Sequence, residues 1–350
     1  MEKNQIADVK RGLLLFLSCM AAYGAHADRF DTPLYLDETA SMEMRVEDAL
    51  SRMTLQEKIA MIHADSKFST AGCPRLGIPA LRASDGPQGV REELMWDKWD
   101  SACQTNDSCT AYPSLMSVAA TWNRDMAYLY GKSIGEEFRY RGKDIALTPG
   151  VNIYRHPLCG RNFEYMGEDP FLAGEMAVEA IRGIQLNGVA ACVKHFALNN
   201  QEKWRGNINV KVSDRALYEI YLPAFKRAVQ DGKAWSIMGA YNKIWDEHCC
   251  HNSRLLNDIL RGEWGFDGVI VSDWGSISDM IPAGVAADRK EATLLAAAAG
   301  VDIDMEGLCY PAHLEEWVKE GKISEETIDG MVRNVLRLKF RLGLFEKPYT

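Results

Sequence analysis

An α/β fold, closed into a somewhat irregular (β/α)8 barrel of the TIM type, is the architecture that the residue pattern calls for. Short β-branched or apolar runs alternate with longer amphipathic stretches over most of the 350 residues, and repeated strand-then-helix units build a parallel sheet. About seven such units occur without a glycine-rich phosphate fingerprint, which favours a closed barrel over a doubly wound sheet. No Pro-rich or Ser-rich linker divides the chain, and 47% hydrophobic with 25% charged residues suffice for one sizeable core.

Taken in order, the first residues read as a leader. Basic Lys10 and Arg11 precede the apolar stretch 13–22, and Ala25-His26-Ala27 supplies small residues at the spacing of a signal-peptidase site. The expectation is a signal peptide over residues 1–27, a mature chain from Asp28 and a periplasmic or secreted location; lipid attachment at Cys19 is the alternative. An apolar run of about ten residues is too short to span a bilayer, which takes about 20 in a helix, and no later segment reads as a span. Residues 28–350 then form the barrel domain, entered through the helical TLQEKIAMIH. Strands are expected at 78–83, 115–119, 144–147, 189–194, 236–240, 268–271 and 301–305, with no evident eighth. Helices are expected at 123–140, 171–186, 214–230, 253–264, 291–299, 311–319 and 324–340; Ser213 and Ser324 offer capping oxygens ahead of acidic first turns.

Charge and cysteine content narrow the partners. With 49 acidic against 40 basic residues the formal charge is −9, which repels polyphosphate and argues against nucleic acid. Of nine cysteines, the eight outside the leader suit an oxidising compartment without a dense disulfide framework. Cys103 and Cys109 flank the polar QTNDS, as a disulfide or as two thiols. Cys249-Cys250-His251 has no second pair at ligand spacing, so neither a metal nor a cofactor is expected.

In a barrel of this kind functional side chains stand at the C-terminal ends of strands. Asp85, Lys194-His195, Tyr241-Asn242 and Asp273-Trp274 each follow an apolar run, so four strands aim polar or aromatic groups at one rim. Carboxylates, a Lys-His pair, arginines and aromatics suit a polyhydroxylated ligand: charged groups bond hydroxyls strongly, and an indole covers the apolar side of a ring. A sugar is the natural guest. Glycoside hydrolysis needs two carboxyl groups, about 5–5.5 Å apart where configuration is retained, and Asp273 can be one.

Five segments in order, SDGPQGVR (84–91), GRNFEYMGEDPFLAG (160–174), KHFALNNQEKWR (194–205), MGAYN (238–242) and GFDGVIVSDW (265–274), resemble the N-terminal barrel of glycoside hydrolase family 3 in its β-glucosidase branch. The resemblance runs from about residue 50 to 345. It implies that Asp273 is the nucleophile of a retaining glycosidase that releases terminal non-reducing β-D-glucosyl residues. It implies further that Asp85, Arg161, Lys194, His195 and Arg205 hold the sugar hydroxyls while Met238, Tyr241 and Trp274 shape the walls. Nearby cations should keep Asp273 ionised. Glu164 and Glu202 are expected to brace loops, and Asp302 and Asp304 to cap them.

Family members of this branch carry the acid/base glutamate on a second, α/β sandwich domain after the barrel, whereas this sequence closes with GLFEKPYT. The expectation is a single barrel domain, a fragment or truncated form lacking that partner. The one-domain branch acting on N-acetylglucosamine linkages carries a Gly-His-Gly loop where ALNNQEKWR stands here. Asp85-Gly86-Pro87 favours glucose over xylose. The alternatives are a β-xylosidase or β-N-acetylglucosaminidase of the same family, a barrel that binds carbohydrate without turnover, and an aldolase using Lys194 as a Schiff base.

Overall fold

The computed structural model describes residues 32–91 and 108–346. The expected leader and Cys103 lie outside the described residues. The chain divides into two compact units between Ser51 and Arg52. Within the first, a 3-10 turn at Leu34–Leu36 precedes a helix at Met42–Ser51. Arg45 Nε donates to Tyr35 O at 2.9 Å and Asp48 accepts from Tyr35 N at 3.0 Å, which ties turn to helix.

The second unit carries the sheet. Its strands are β1 (Ser69–Thr70), β2 (Leu81–Asp85), β3 (Ile145–Leu147), β4 (Ala190–Phe196), β5 (Asn209–Val210), β6 (Ser236–Gly239), β7 (Lys243–Ile244), β8 (Glu247–His248) and β9 (Val269–Val271). The main sheet runs β1-β2-β3-β4-β6-β9, parallel from β2 to β9, with β1 antiparallel to β2; β5, β7 and β8 form a small sheet of their own. The main sheet is curled and mixed. Beyond β9, Ser272 N donates to Ile303 O at 2.9 Å, Asp304 N to Ile62 O at 3.0 Å, and Ala64 N to Asp304 O at 2.9 Å. An antiparallel bridge from Ala64 to Thr70 then returns to β1. Hydrogen bonds thus lead from one edge of the sheet to the other through 302–304 and 62–64, segments too briefly paired to count as strands.

Inward-facing side chains fill the space that this curl encloses. Phe68, Leu81, Ile145, Leu147, Val271 and Ile303 leave a void of only about 10 Å³ between them, so the interior is packed rather than open. All seven residues of β4 are buried, as expected for a parallel strand covered on both faces. The helices Arg124–Tyr140 and Pro170–Gln185 approach each other closely. A Cβ on Gly131 would lie 2.1 Å from Ala180 O, and one on Gly183 2.4 Å from Tyr128 O, so only glycine allows that crossing.

Most expected elements stand where the pattern put them, with Ser213 and Ser324 capping their helices. Residues 115–119 do not: they belong to a helix, Leu115–Ala120. Its buried Leu115, Val118 and Ala119 follow helical spacing, and Ser114 caps it by accepting from Ser117 N at 3.2 Å; a run this short is ambiguous by periodicity alone. The expected helix at 214–230 is also broken. A turn at Asp214–Ala216 runs into π-helical Leu217–Tyr221, and Pro223 opens a new helix to Gln230, since proline removes the N–H that continuity requires. Among the described residues no helix is long and apolar enough to cross a membrane.

Candidate active site

The parallel register sets the height of each functional group. Met238 on β6 pairs with Val271 on β9, and Phe196 on β4 with Gly239. The residues just beyond therefore share one rim. Asp85 ends β2, Lys194 and His195 sit near the end of β4, Tyr241 follows β6, and Asp273-Trp274 follow β9.

His195 is fixed from three sides. Asn152 accepts from its backbone N at 2.8 Å and donates to its carbonyl at 3.0 Å, while Tyr165 Oη lies 3.1 Å from Nδ1. The other ring nitrogen, Nε2, stands 3.7 Å from Asp273 Oδ2. Burial, reinforced by the charges of Arg161, Lys194 and Arg205, pushes the imidazole pKa far below its ordinary value, so the ring is neutral.

Asp273 is 7% exposed. Its Oδ1 accepts from Trp274 N at 2.8 Å, and its Oδ2 has no hydrogen-bond partner among the described residues. Burial raises its pKa to about 6, against the opposing pull of Arg161, the Trp274 N–H, Lys194 and Arg205. The expectation that cations would dominate is thereby corrected: desolvation outweighs them, and the carboxyl is still about nine-tenths ionised at neutral pH only because that value falls below seven.

Around this centre the charges are interlocked. Lys194 Nζ lies 3.3 Å from Glu164 and 3.9 Å from Asp85, and Glu164 also pairs with Arg161. Burial works to raise the Glu164 pKa, but Lys194 and Arg161 together hold it below the usual range. Glu202 accepts from Arg205 Nη1 at 2.7 Å and from Asn199 Nδ2 at 3.2 Å, and approaches Arg161 Nη1 to 3.8 Å. The Arg205 guanidinium lies 4.2 Å over the Tyr241 ring, and Tyr241 donates to Trp274 O at 2.6 Å. The Trp274 indole donates to Lys67 O at 2.6 Å and tilts against Phe68, with ring centroids 5.4 Å apart.

Contacts thus bring together eight of the residues that the sequence singles out: Asp85, Arg161, Lys194, His195, Arg205, Tyr241, Asp273 and Trp274. Met238 joins by position alone, buried on β6. Glu164 and Glu202 brace, as expected, yet Glu202 does so for both arginines at once. Asp302 and Asp304 serve structure: Asp302 accepts from Ile270 N and Arg261 at 2.7 Å and Asn334 at 2.9 Å, and Asp304 from Cys309 N at 2.8 Å. Sequence reasoning misses Asn152, Tyr165, Asn199 and Lys67. Tyr165 and Asn199 lie inside the family-like segments and are findable there, whereas Lys67 contributes a backbone oxygen, which no residue type announces. Among the described residues no group of His, Cys, Asp or Glu could hold a metal ion.

The chain matches the family model described as "Glycosyl hydrolase family 3 N terminal domain" over residues 51–338. It is 54% identical over 353 residues to the Bacteroides ovatus protein named "Beta-glucosidase BoGH3A", covering 96% of this chain and 46% of that protein. Among solved structures, beta-glucosidase 3B from Thermotoga neapolitana in complex with glucose matches with a TM-score of 0.75 at 38% identity, over 86% of this chain and 43% of that one. The beta-glucosidase from Listeria innocua in complex with glucose matches with a TM-score of 0.78 at 30% identity, over 87% and 48%. The chain spans less than half the length of the curated relatives it matches.

Proposed function

The chain belongs to glycosyl hydrolase family 3, and on that premise we propose that it is the nucleophile-bearing domain of a retaining β-glucosidase, built as an eight-stave barrel whose briefly paired segments complete the ring. One observation carries the reading. Asp273 emerges past β9 among Arg161, Lys194, His195 and Arg205, with Oδ1 fixed by the Trp274 N–H and His195 Nε2 3.7 Å from Oδ2. A carboxylate that must bond carbon has to be held in one direction where cations and hydrogen-bonding groups can fix the substrate around it.

On this reading the carboxylate of Asp273 attacks the anomeric carbon, forming a glycosyl ester as the aglycone oxygen departs with a proton; water then cleaves the ester, restoring the original configuration. Asp85, Arg161, Lys194, His195 and Arg205 bind the sugar hydroxyls, and Met238, Tyr241 and Trp274 wall the ring. The departing oxygen needs a proton donor, a role that a carboxylic acid kept neutral can fill. Glu164 is held ionised by Lys194 and Arg161, and Glu202 is committed to two arginines. The resemblance to two-domain family members supports a glutamate outside these 350 residues as the donor. Without it, departure of a sugar alkoxide loses about 10²- to 10⁴-fold in rate, so activated aryl glycosides are the substrates expected to react with this chain alone. The names of the relatives support glucose as the sugar.

A 2-deoxy-2-fluoro-β-glucoside with a good leaving group tests the reading. A covalent glycosyl adduct mapped by peptide mass spectrometry to Asp273 is expected; an adduct elsewhere, or none, refutes it. Export rests on the leader over residues 1–27, and N-terminal sequencing of the protein from its native host should then begin at Asp28.

A further inference from the structure

Next to the Asp273 network lies a cavity of about 410 Å³ for which the proposed reaction has no use. It lies past the same strand ends, at Leu198 after β4 and Asn242 after β6, with Ile208, Tyr221, Arg155 and Lys203 among its other walls. The strip that parts it from Arg161 and Arg205 is pinned where Glu202 N donates to Cys159 O at 3.1 Å. The volume falls within the range of small-molecule sites, about 300–1,000 Å³.

Its chemistry specifies a guest. Asn242 is 1% exposed, and its Nδ2 donates to Ala197 O at 3.2 Å. Its Oδ1 is likewise buried beneath the cavity surface, so polar recognition falls to the charged residues of the lining. Arg155 and Lys203 are exposed and form no ion pair among the described residues; the guanidinium of Arg155 only rests 5.8 Å over the Tyr221 ring. In a chain of formal charge −9, two unneutralised cations on one cavity make a local field for an anion. Leu198, Ile208 and Tyr221 offer apolar faces suited to the C–H side of a sugar ring.

We propose that this cavity is a second saccharide site that takes an acidic sugar, its carboxylate drawn by Arg155 and Lys203 and its ring set against Leu198, Ile208 and Tyr221. It is separate from the site of the proposed reaction and does not depend on turnover there. The probe is methyl β-D-glucuronide, titrated calorimetrically into the whole chain and into the exposed double variant Arg155→Met/Lys203→Met, with folding checked by thermal melting. Binding to the original chain that survives saturating glucose, and that weakens at least tenfold in the variant, is the expected result. Equal affinity in both proteins, full displacement by glucose, or no detectable heat at millimolar ligand overturns the proposal. Labelling of Asp273 by the fluoroglucoside should be the same in both proteins. Failure of that labelling in both would refute the proposed nucleophile while leaving the glucuronide titration readable.

Discussion

Two aspartates on neighbouring segments of the curled sheet, Asp273 just past β9 and Asp302 beside its start, are buried alike, and in both cases burial raises the pKa. They differ in what meets their oxygens. Asp302 fills both: Oδ2 accepts from Ile270 N and Arg261, and Oδ1 from Asn334. Asp273 leaves Oδ2 unshared. A perturbed carboxyl is therefore not by itself a sign of chemistry, and neither is an unpartnered oxygen, since the structural Asp304 is buried with one as well; what sets Asp273 apart is its place beside His195 among the cations of the rim.

The sharpest way to break this contrast is to neutralise each aspartate in turn. Asp273→Asn should lower hydrolysis of an activated aryl β-glucoside on the order of 10⁴-fold, followed as release of the aryl alcohol, while making the protein more stable. Its folded pKa of about 6 lies above the unfolded carboxyl value of about 3.9, so this group favours folding most at acid pH, and that contribution is lost as pH rises through about 6. At neutral pH the cost is about 3 kcal/mol, which the amide would escape. Denaturant melts at pH 7 check the sign; a less stable variant would show that Asp273 is structural after all. Asp302→Asn should do the opposite, losing about 2 to 3 kcal/mol of stability because an amide nitrogen cannot accept where one of the two oxygens now does, with activity per folded molecule unchanged. Equal catalytic damage from both substitutions would erase the distinction.

Smaller changes sharpen it. Glu202→Gln keeps the shape but removes the charge that holds Arg205 and Arg161, and kcat/KM should fall about tenfold, equivalent to about 1.4 kcal/mol, mostly through KM. A fall confined to kcat would point to a more direct part for Glu202. Least disruptive is a change of pH. The labelling rate should rise to a plateau above about pH 6, half-maximal there, and drop about tenfold for each unit below. A midpoint near the ordinary carboxyl value would mean that the cations, not burial, set the ionisation.

Much of the rim is legible in the sequence because the motif residues are side chains at strand ends, where chain direction dictates placement. The ionisation of Asp273 is not: residue types name its cationic neighbours, but only packing reveals the depth of its burial. The helix at 115–120 resembles a strand in sequence because five apolar-leaning residues fit both periods, and the cap at Ser114 decides between them. The segments 62–64 and 69–70 give no readable sign in the sequence, since one or two hydrogen bonds across a bridge leave no alternation to read, and 301–305, which reads as a strand, is held only by isolated bridges. The nearby cavity is equally hidden, because its walls come from loops far apart along the chain.

β1 runs against its neighbours, so the turn at residues 65–68 emerges on the same side as Asp273 and carries Lys67 and Phe68 to the Trp274 indole. A hairpin thereby occupies the place where a longer connection to a helix would stand in the ordinary pattern. The indole's position is consequently written in the register of a two-residue ladder. Inserting a single residue between Ala64 and Ser69 would exchange inward and outward positions there, turning a fixed wall into a movable one without touching a residue that meets the ligand, and offering protein engineers a way to reshape the rim from behind.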